Sequence, residues 1–346
     1  MSRLAVAAAL IAAALFGLST PAAKSLVGTV DPWMLAALLY LGSGAGLTLV
    51  RLARRPAHAE APLTRADLPW LAGAIAAGGV AAPVLLMEGL ARTDAASSSL
   101  LLTLEGVATA AIAWIVFREP YGMRVAAGMA LIVAGALVLA WRGEPSLDAL
   151  AGPLLVVGAC LGWAIDNNLT RKVAAADPVE IAMWKGLAAG CVTFALAHAQ
   201  GAPVPELGMA SSAGIVGFLG YGVSLALFVF ALRHLGAART GAYFSVAPFV
   251  GAAAAIPLLG EEFTLALAAS GMLIAAGVWL HITERHAHAH LHEPISHAHR
   301  HAHDAHHRHA HAAGDPPGEP HSHWHAHTRL SHAHPHVPDI HHRHGH

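Results

Sequence analysis

Ten stretches of about twenty predominantly apolar residues follow one another along this chain, and that succession leaves few folds open. About 20 helical residues cross a bilayer core of roughly 30 Å. In lipid the backbone must satisfy its own hydrogen bonds, which a helix does within one segment. The runs lie near residues 4–23, 32–52, 68–90, 95–117, 122–141, 150–169, 178–198, 212–233, 237–259 and 263–283. Only 12% of the 346 residues are charged, against roughly 25% in a soluble domain. Residues 1–283 therefore need lipid as their solvent, and the expected fold is an all-α membrane protein with ten transmembrane helices. The first run follows Arg3 as a secretory signal would, but it continues into Ser19-Thr20-Pro21 and precedes many more spans, so it reads as a retained helix.

Lysines and arginines near span ends set orientation, with the basic side inside. With the N-terminus inside, the cytoplasmic ends hold Arg3, Arg51, Arg54, Arg55, Arg65, Arg118, Arg124, Arg171, Lys172, Arg233, Arg239 and Arg285. The outer ends hold only Lys24, Arg92 and Arg142. This predicts a multi-pass protein of the cell inner membrane with both termini cytoplasmic. Net charge is −1, which points to no nucleic-acid partner; the bilayer and a small-molecule or ion substrate are the expected ones, and a homodimer is compatible with the sequence.

The chain repeats itself. REPYGMRVAAGM at 118–129 aligns with EEFTLALAASGM at 261–272, matching Glu119 with Glu262 and Gly128-Met129 with Gly271-Met272 at an offset of 143. Leu15-Phe16-Gly17-Leu18 aligns with Gly162-Trp163-Ala164-Ile165. Five spans per copy is an odd number, so the second copy enters the membrane inverted. Inverted repeats supply two interchangeable access states around a midplane site, as in secondary transporters. The expected division is 1–142 and 150–283 for the two five-helix repeats and 284–346 for a separate tail.

The ten spans, the five-plus-five repeat, the Glu119-Pro120 or Glu261-Glu262 turn before the last helix of each half, and Pro248 in the ninth span resemble EamA-type transporters of the drug/metabolite transporter superfamily. The resemblance covers about residues 4–283 and implies alternating-access carriage of a small solute, commonly outward and gradient-coupled. It leaves the solute open, since one scaffold serves many cargoes. Glu105 departs from the pattern: its counterpart is Pro248, and proline is the commoner choice there.

Ionisable groups inside spans are costly and mark pathways or partners. Glu105, amid SLLLTLEGVATAAIAW, is a candidate proton carrier or cation ligand. Asp166, Asn167 and Asn168 form a polar cluster in WAIDNNLTRK; successive residues diverge by about 100°, so Asp166 shares a face with Thr170 instead. Lys185 in IAMWKGLAAG can snorkel inward or pair with Glu105 or Asp166. Glu88 stands four residues before Arg92, a spacing suited to an ion pair on a helix end as well as to a gate. Trp163 and Trp184 could line a cavity or anchor an interface.

The tail is a different material. Twenty-four of the 27 histidines lie from His281 onward, mostly as HxH. His286, His288, His290 and His292 form one run, and His297, His299, His301 and His303 a second. His321, His323, His325 and His327 follow, then His332, His334 and His336. Alternation sets imidazoles on one side of an extended chain, where two can chelate one ion, and neutral imidazole suits Zn²⁺, Ni²⁺, Co²⁺ or Cu²⁺. With few apolar residues besides alanine, the tail is expected to be disordered without metal.

Three functions stand together. One is export of a divalent metal collected by the tail. Another is export of a drug, amino acid or other metabolite, with a tail that buffers or senses metal. The third is a membrane-anchored metal store or sensor. No cofactor is required by any of them. The spans carry no catalytic H-E-x-x-H or G-x-S-x-G, so an enzyme is not expected. No G-x-x-x-x-G-K-[ST] loop is present for nucleotide-driven pumping.

Overall fold

The computed structural model describes residues 3–53, 63–117, 122–141, 147–170, 173, 177–235, 240, 243–283, 286–292, 296–301, 321–326 and 330–336. Residues outside these ranges include His58, Glu119, His303, His327 and the loop residues Arg54, Arg55, Arg118, Arg142, Arg171, Lys172, Arg239 and Arg285.

The first half comprises α1 (Arg3–Leu26), α2 (Pro32–Ala53), α3 (Leu68–Ala74), a π-helical segment (Ile75–Ala81), α4 (Ala82–Arg92), α5 (Ala95–Leu101), α6 (Leu104–Phe117) and α7 (Met123–Ala140). The second comprises α8 (Leu147–Thr170), α9 (Pro178–Ala199), α10 (Leu207–Gly217), a second π segment (Phe218–Val223), α11 (Ser224–Leu235), α12 (Ala247–Leu259) and α13 (Leu265–Ile282). Among the described residues, eight helices are long and apolar enough to cross a membrane, and α12 and α13 are shorter apolar helices. The ninth expected span, 237–259, falls partly on undescribed residues, and its described helix begins only at Ala247.

The halves correspond element by element. The second helix of each opens on Asp-Pro, where the aspartate caps free N–H groups: Asp31 Oδ1 accepts from Trp33 N at 2.9 Å and Met34 N at 3.1 Å. Asp177 Oδ1 accepts from Val179 N at 2.8 Å. The third helix of each half carries a π segment, and the fourth is interrupted: turns at Leu102–Thr103 and at Ser245–Val246 precede α6 and α12. Pro248 thus occupies the first turn of a described helix, where its missing N–H leaves no bond unmade.

Packing exchanges between halves as a two-fold axis would require. α2 lies along α9 and α7 along α13, while α1 meets α11 and α12, and α8 meets α4 and α6. Small residues permit the approach. A Cβ on Gly186 would lie 2.8 Å from the backbone nitrogen of Gly44, and one on Gly277 would lie 2.6 Å from the carbonyl of Gly128. Arg51 and Glu180 add a 3.0 Å ion pair between α2 and α9.

Four segments of the tail are described. β1 (His286–His292) pairs antiparallel with β4 (Leu330–His336), and β2 (Ser296–His301) with β3 (His321–Ala326). The HxH alternation has the period of a strand, so extended segments can pair through their backbones even without an apolar core.

Leucine at Gly186 drives a side chain into the α2 backbone, and we expect a loss of about 1–3 kcal/mol, read as a lowered thermal-aggregation midpoint in detergent. Gly208→Ala, where a Cβ meets nothing within 4 Å, should leave that midpoint nearly unchanged.

Candidate functional site

Two polar pairs stand where α6, α8 and α9 converge. Asp166 on α8 is buried, and Lys185 Nζ on α9 donates to its two carboxylate oxygens at 2.5 and 2.7 Å. Thr170, one turn further along α8, donates to Asp166 Oδ1 at 2.8 Å, the i,i+4 relation that the sequence suggests. Of the two partners open to Lys185, the structure selects Asp166. One residue away, Asn167 Nδ2 donates to Glu105 Oε1 at 2.8 Å. Glu105 lies in the first turn of α6, just past the turn at Leu102–Thr103. Glu105 is half-buried and Asn167 exposed, while in the ion pair beside them Asp166 is buried and Lys185 half-buried. Asn168 bonds to the Ala164 carbonyl at 2.8 Å, and its buried Oδ1 has no partner among the described residues.

The π segment of the first half presses on the same place. A Cβ on Gly78 would collide with the Asp166 carboxylate, so glycine is what lets the ion pair sit against this backbone. The Gly78 carbonyl accepts from Tyr40 Oη at 3.0 Å and from Trp163 Nε1 at 2.9 Å. In the second half, a Cβ on Gly220 of the other π segment would collide with Ser19, the residue aligned with Asp166. From Tyr40 an aromatic series runs through the bundle: Tyr221 at 5.7 Å between ring centres, Phe16 at 6.0 Å from Tyr221, and Phe244 at 5.5 Å from Phe16. π segments and interrupted helices recur where transporters bind their cargo, because they leave backbone groups for other partners.

Glu88 does not join this cluster. It forms the i,i+4 ion pair with Arg92 at the end of α4. Trp163 is buried beside Gly78, whereas Trp184 is 47% exposed on the bundle's outside. Lys24 and Glu261, neither singled out from the sequence, clasp the hairpin between α4 and α5. Lys24 Nζ donates to the carbonyls of Leu90 and of Thr93, the latter at 2.9 Å. Glu261 Oε1 and Oε2 accept from Ala95 N and Ala96 N at 2.6 and 2.8 Å. A cation thus serves the carbonyl end of one helix and an anion the amide end of the next, as the helix dipoles favour. The available signal was a lysine one turn beyond Pro21 and an acidic doublet at the repeat boundary. Among the described residues, no three His, Cys, Asp or Glu groups converge as metal ligands.

Apolar helices long enough to cross a membrane, arranged in two matching halves with paired polar groups between them, make this a multi-pass membrane protein. The chain belongs to the EamA-like transporter family, whose profile matches twice, over residues 3–141 and 150–283. An uncharacterized transporter of Methanothermobacter thermautotrophicus is 28% identical over 281 residues, 77% of this chain and 82% of that protein. A probable amino-acid metabolite efflux pump of Salmonella typhimurium is 28% identical over 207 residues, 54% of this chain and 66% of the pump. A solved crystal structure shares the fold, with a TM-score of 0.59 at 19% identity over 80% of this chain and 95% of that one.

Lys185→Met should strand the Asp166 carboxylate and destabilise the protein by about 3 kcal/mol or more; adding Asp166→Asn should recover much of the loss in the same melting assay. At the hairpin, Glu261→Ala should raise amide hydrogen exchange at Ala95 and Ala96, measured by mass spectrometry, while Glu262→Ala leaves it unaltered.

Proposed function

We propose that this protein is a secondary exporter of a small polar organic solute, which binds at Glu105 and Asn167 beside the Asp166–Lys185 pair and crosses by alternating access. The observation that carries this reading is the Glu105–Asn167 pair, one residue from the Asp166–Lys185 ion pair. Together these residues offer a carboxylate, an amide and an ammonium within one small region. That set is complementary to a zwitterion such as an amino acid, and the tyrosines and phenylalanines nearby suit its side chain. The efflux pump among the relatives supports the outward direction and this substrate class.

Glu105 is the group in this site placed to accept a proton or a cationic head group when the site faces one side and release it at the other. Asn167 positions it. Lys185 is committed to Asp166, so a carboxylate on the solute would bring it a second partner and loosen the first, which couples binding to movement of α8 against α9. The charge bias supports cytoplasmic termini and an inner-membrane location, with the Lys24–Glu261 clasp on the outer side. The bundle gathers no metal-ligand cluster among its described residues, which favours an organic solute over a divalent ion as cargo.

The test is counterflow of radiolabelled amino acids in proteoliposomes. Wild-type protein should exchange at least one of them, Glu105→Gln should lose more than 90% of the rate while folding normally, and Glu88→Gln should retain it. Normal exchange by Glu105→Gln would remove that carboxylate from the pathway. A host lacking the protein whose Ni²⁺, Co²⁺, Zn²⁺ or Cu²⁺ tolerance falls, together with inert amino-acid counterflow, would favour metal export instead.

A further inference from the structure

Glu105 is a carboxylate without a counter-charge. Its hydrogen bond from Asn167 comes from a neutral amide, and Lys185 is committed to Asp166 at 2.5 and 2.7 Å. Among the described residues no basic side chain forms an ion pair with Glu105. The Asp166–Lys185 pair is neutral as a whole, which leaves one net negative charge where α6 meets α8. A lone charge inside a bilayer is costly. The first turn of α6 nevertheless suits an anion, because the helix dipole favours one there. The balancing charge then has to come from a ligand.

Oxygen atoms gather around this carboxylate. Thr109 lies one turn along α6, and Asn167 Nδ2, which donates to Glu105 Oε1 at 2.8 Å, also meets Thr109 Oγ1 at 3.4 Å. Asn168, the next residue of α8, reaches the same turn of α6. Its Nδ2 donates to the Thr109 carbonyl at 3.4 Å and to the Ala164 carbonyl at 2.8 Å. Two carbonyl acceptors fix which end of that amide is nitrogen. Asn168 is only 3% exposed, and its Oδ1 is buried with no partner among the described residues. Buried carbonyl oxygens in native folds nearly always have a partner, so this one needs a donor or a cation.

We propose that Glu105, Thr109, Asn167 and Asn168 form a binding site for a monovalent cation, Na⁺, held between α6 of the first half and α8 of the second. The donors are a carboxylate, a hydroxyl and two amide carbonyls, an all-oxygen set that suits a hard cation and not a soft transition metal. One net negative charge matches a monovalent ion, whereas a divalent one would leave a positive charge in the bundle. A proton would draw on one oxygen and leave the others without use. Transporters place Na⁺ beside interrupted helices, and α6 begins at such an interruption, just past Leu102–Thr103. The ion's role in coupling rests on the transport reading above. Glu105 is then offered either to Na⁺ or to the ammonium of the solute, so the two exclude one another and inward Na⁺ drives solute outward.

Binding is measured without solute, on the full-length protein in detergent, with radioactive Na⁺ as the probe and choline as the balancing cation. Wild-type protein should bind Na⁺ saturably at one site per chain, and its thermal-aggregation midpoint should rise with Na⁺ and not with choline. Glu105→Gln should lose both responses, Asn168→Ala should weaken binding about tenfold, and Glu88→Gln should match the wild type. Midpoints in choline report whether each variant keeps its fold; if Glu105→Gln does not, Thr109→Val should weaken binding in its place. Lack of saturable Na⁺ binding by the wild type overturns the proposal, as does binding that survives Glu105→Gln intact. A midpoint that follows pH and ignores Na⁺ assigns Glu105 to a proton and overturns it too. Amino-acid counterflow in proteoliposomes is read in parallel. Inert counterflow with intact Na⁺ binding sinks the solute reading and leaves the ion site standing, while Na⁺-independent counterflow without Na⁺ binding does the reverse.

Discussion

The Asp166–Lys185 ion pair is the interaction around which the middle of this bundle is organised. Two charges removed from water are tolerable only when they face one another and their remaining valences are met, and here Thr170 fills one of these. The pair fastens α8 to α9 while lying against Gly78, whose lack of a side chain makes room for the carboxylate. The π segment that supplies Gly78 also turns its carbonyl to Tyr40 and Trp163. Helices of both halves are thereby referred to one point, and the neighbouring Glu105–Asn167 pair inherits its position from it.

The second half builds a related arrangement with different chemistry. A serine takes the place aligned with Asp166, beside the second π segment, and Pro248 takes the place of Glu105. Symmetry of the backbone with asymmetry of the polar groups confines the charged chemistry to one side of the pseudo-axis. A pathway built on such a frame can alternate its openings while keeping one set of ligands.

How much of this was legible follows from what each signal rests on. The apolar runs gave the helices because length and composition are enough for a membrane span. They did not give the interruption at Leu102–Thr103, where no glycine or proline marks the break and tertiary packing decides. The π segments left only a trace in Gly78-Gly79 and in Gly220 and Gly222. Asp166 and Lys185 could be proposed as partners since each demands one in lipid, but the Glu105–Asn167 contact joins two helices whose relative rotation a sequence does not carry. Tyr40 and Tyr221 were indistinguishable from packing residues, and Lys24 and Glu261 from ordinary charges at a membrane surface. The repeated Asp-Pro cap is visible in the letters at 31–32 and 177–178, where a short polar signal recurs at the same place in each half.

The clasp on the α4–α5 hairpin has a consequence for how the two halves are joined. Lys24 and Glu261 come from opposite halves of the chain, and together they serve four backbone groups at Leu90, Thr93, Ala95 and Ala96. Lys24 lies in the same half as the hairpin, so separating the halves at this end strips the two amides that Glu261 serves and leaves the two carbonyls with Lys24. Opening there would leave the Ala95 and Ala96 amides without their acceptor, at a cost unless water replaces it. The amide end of the hairpin is thereby tied to the second half through the single side chain of Glu261.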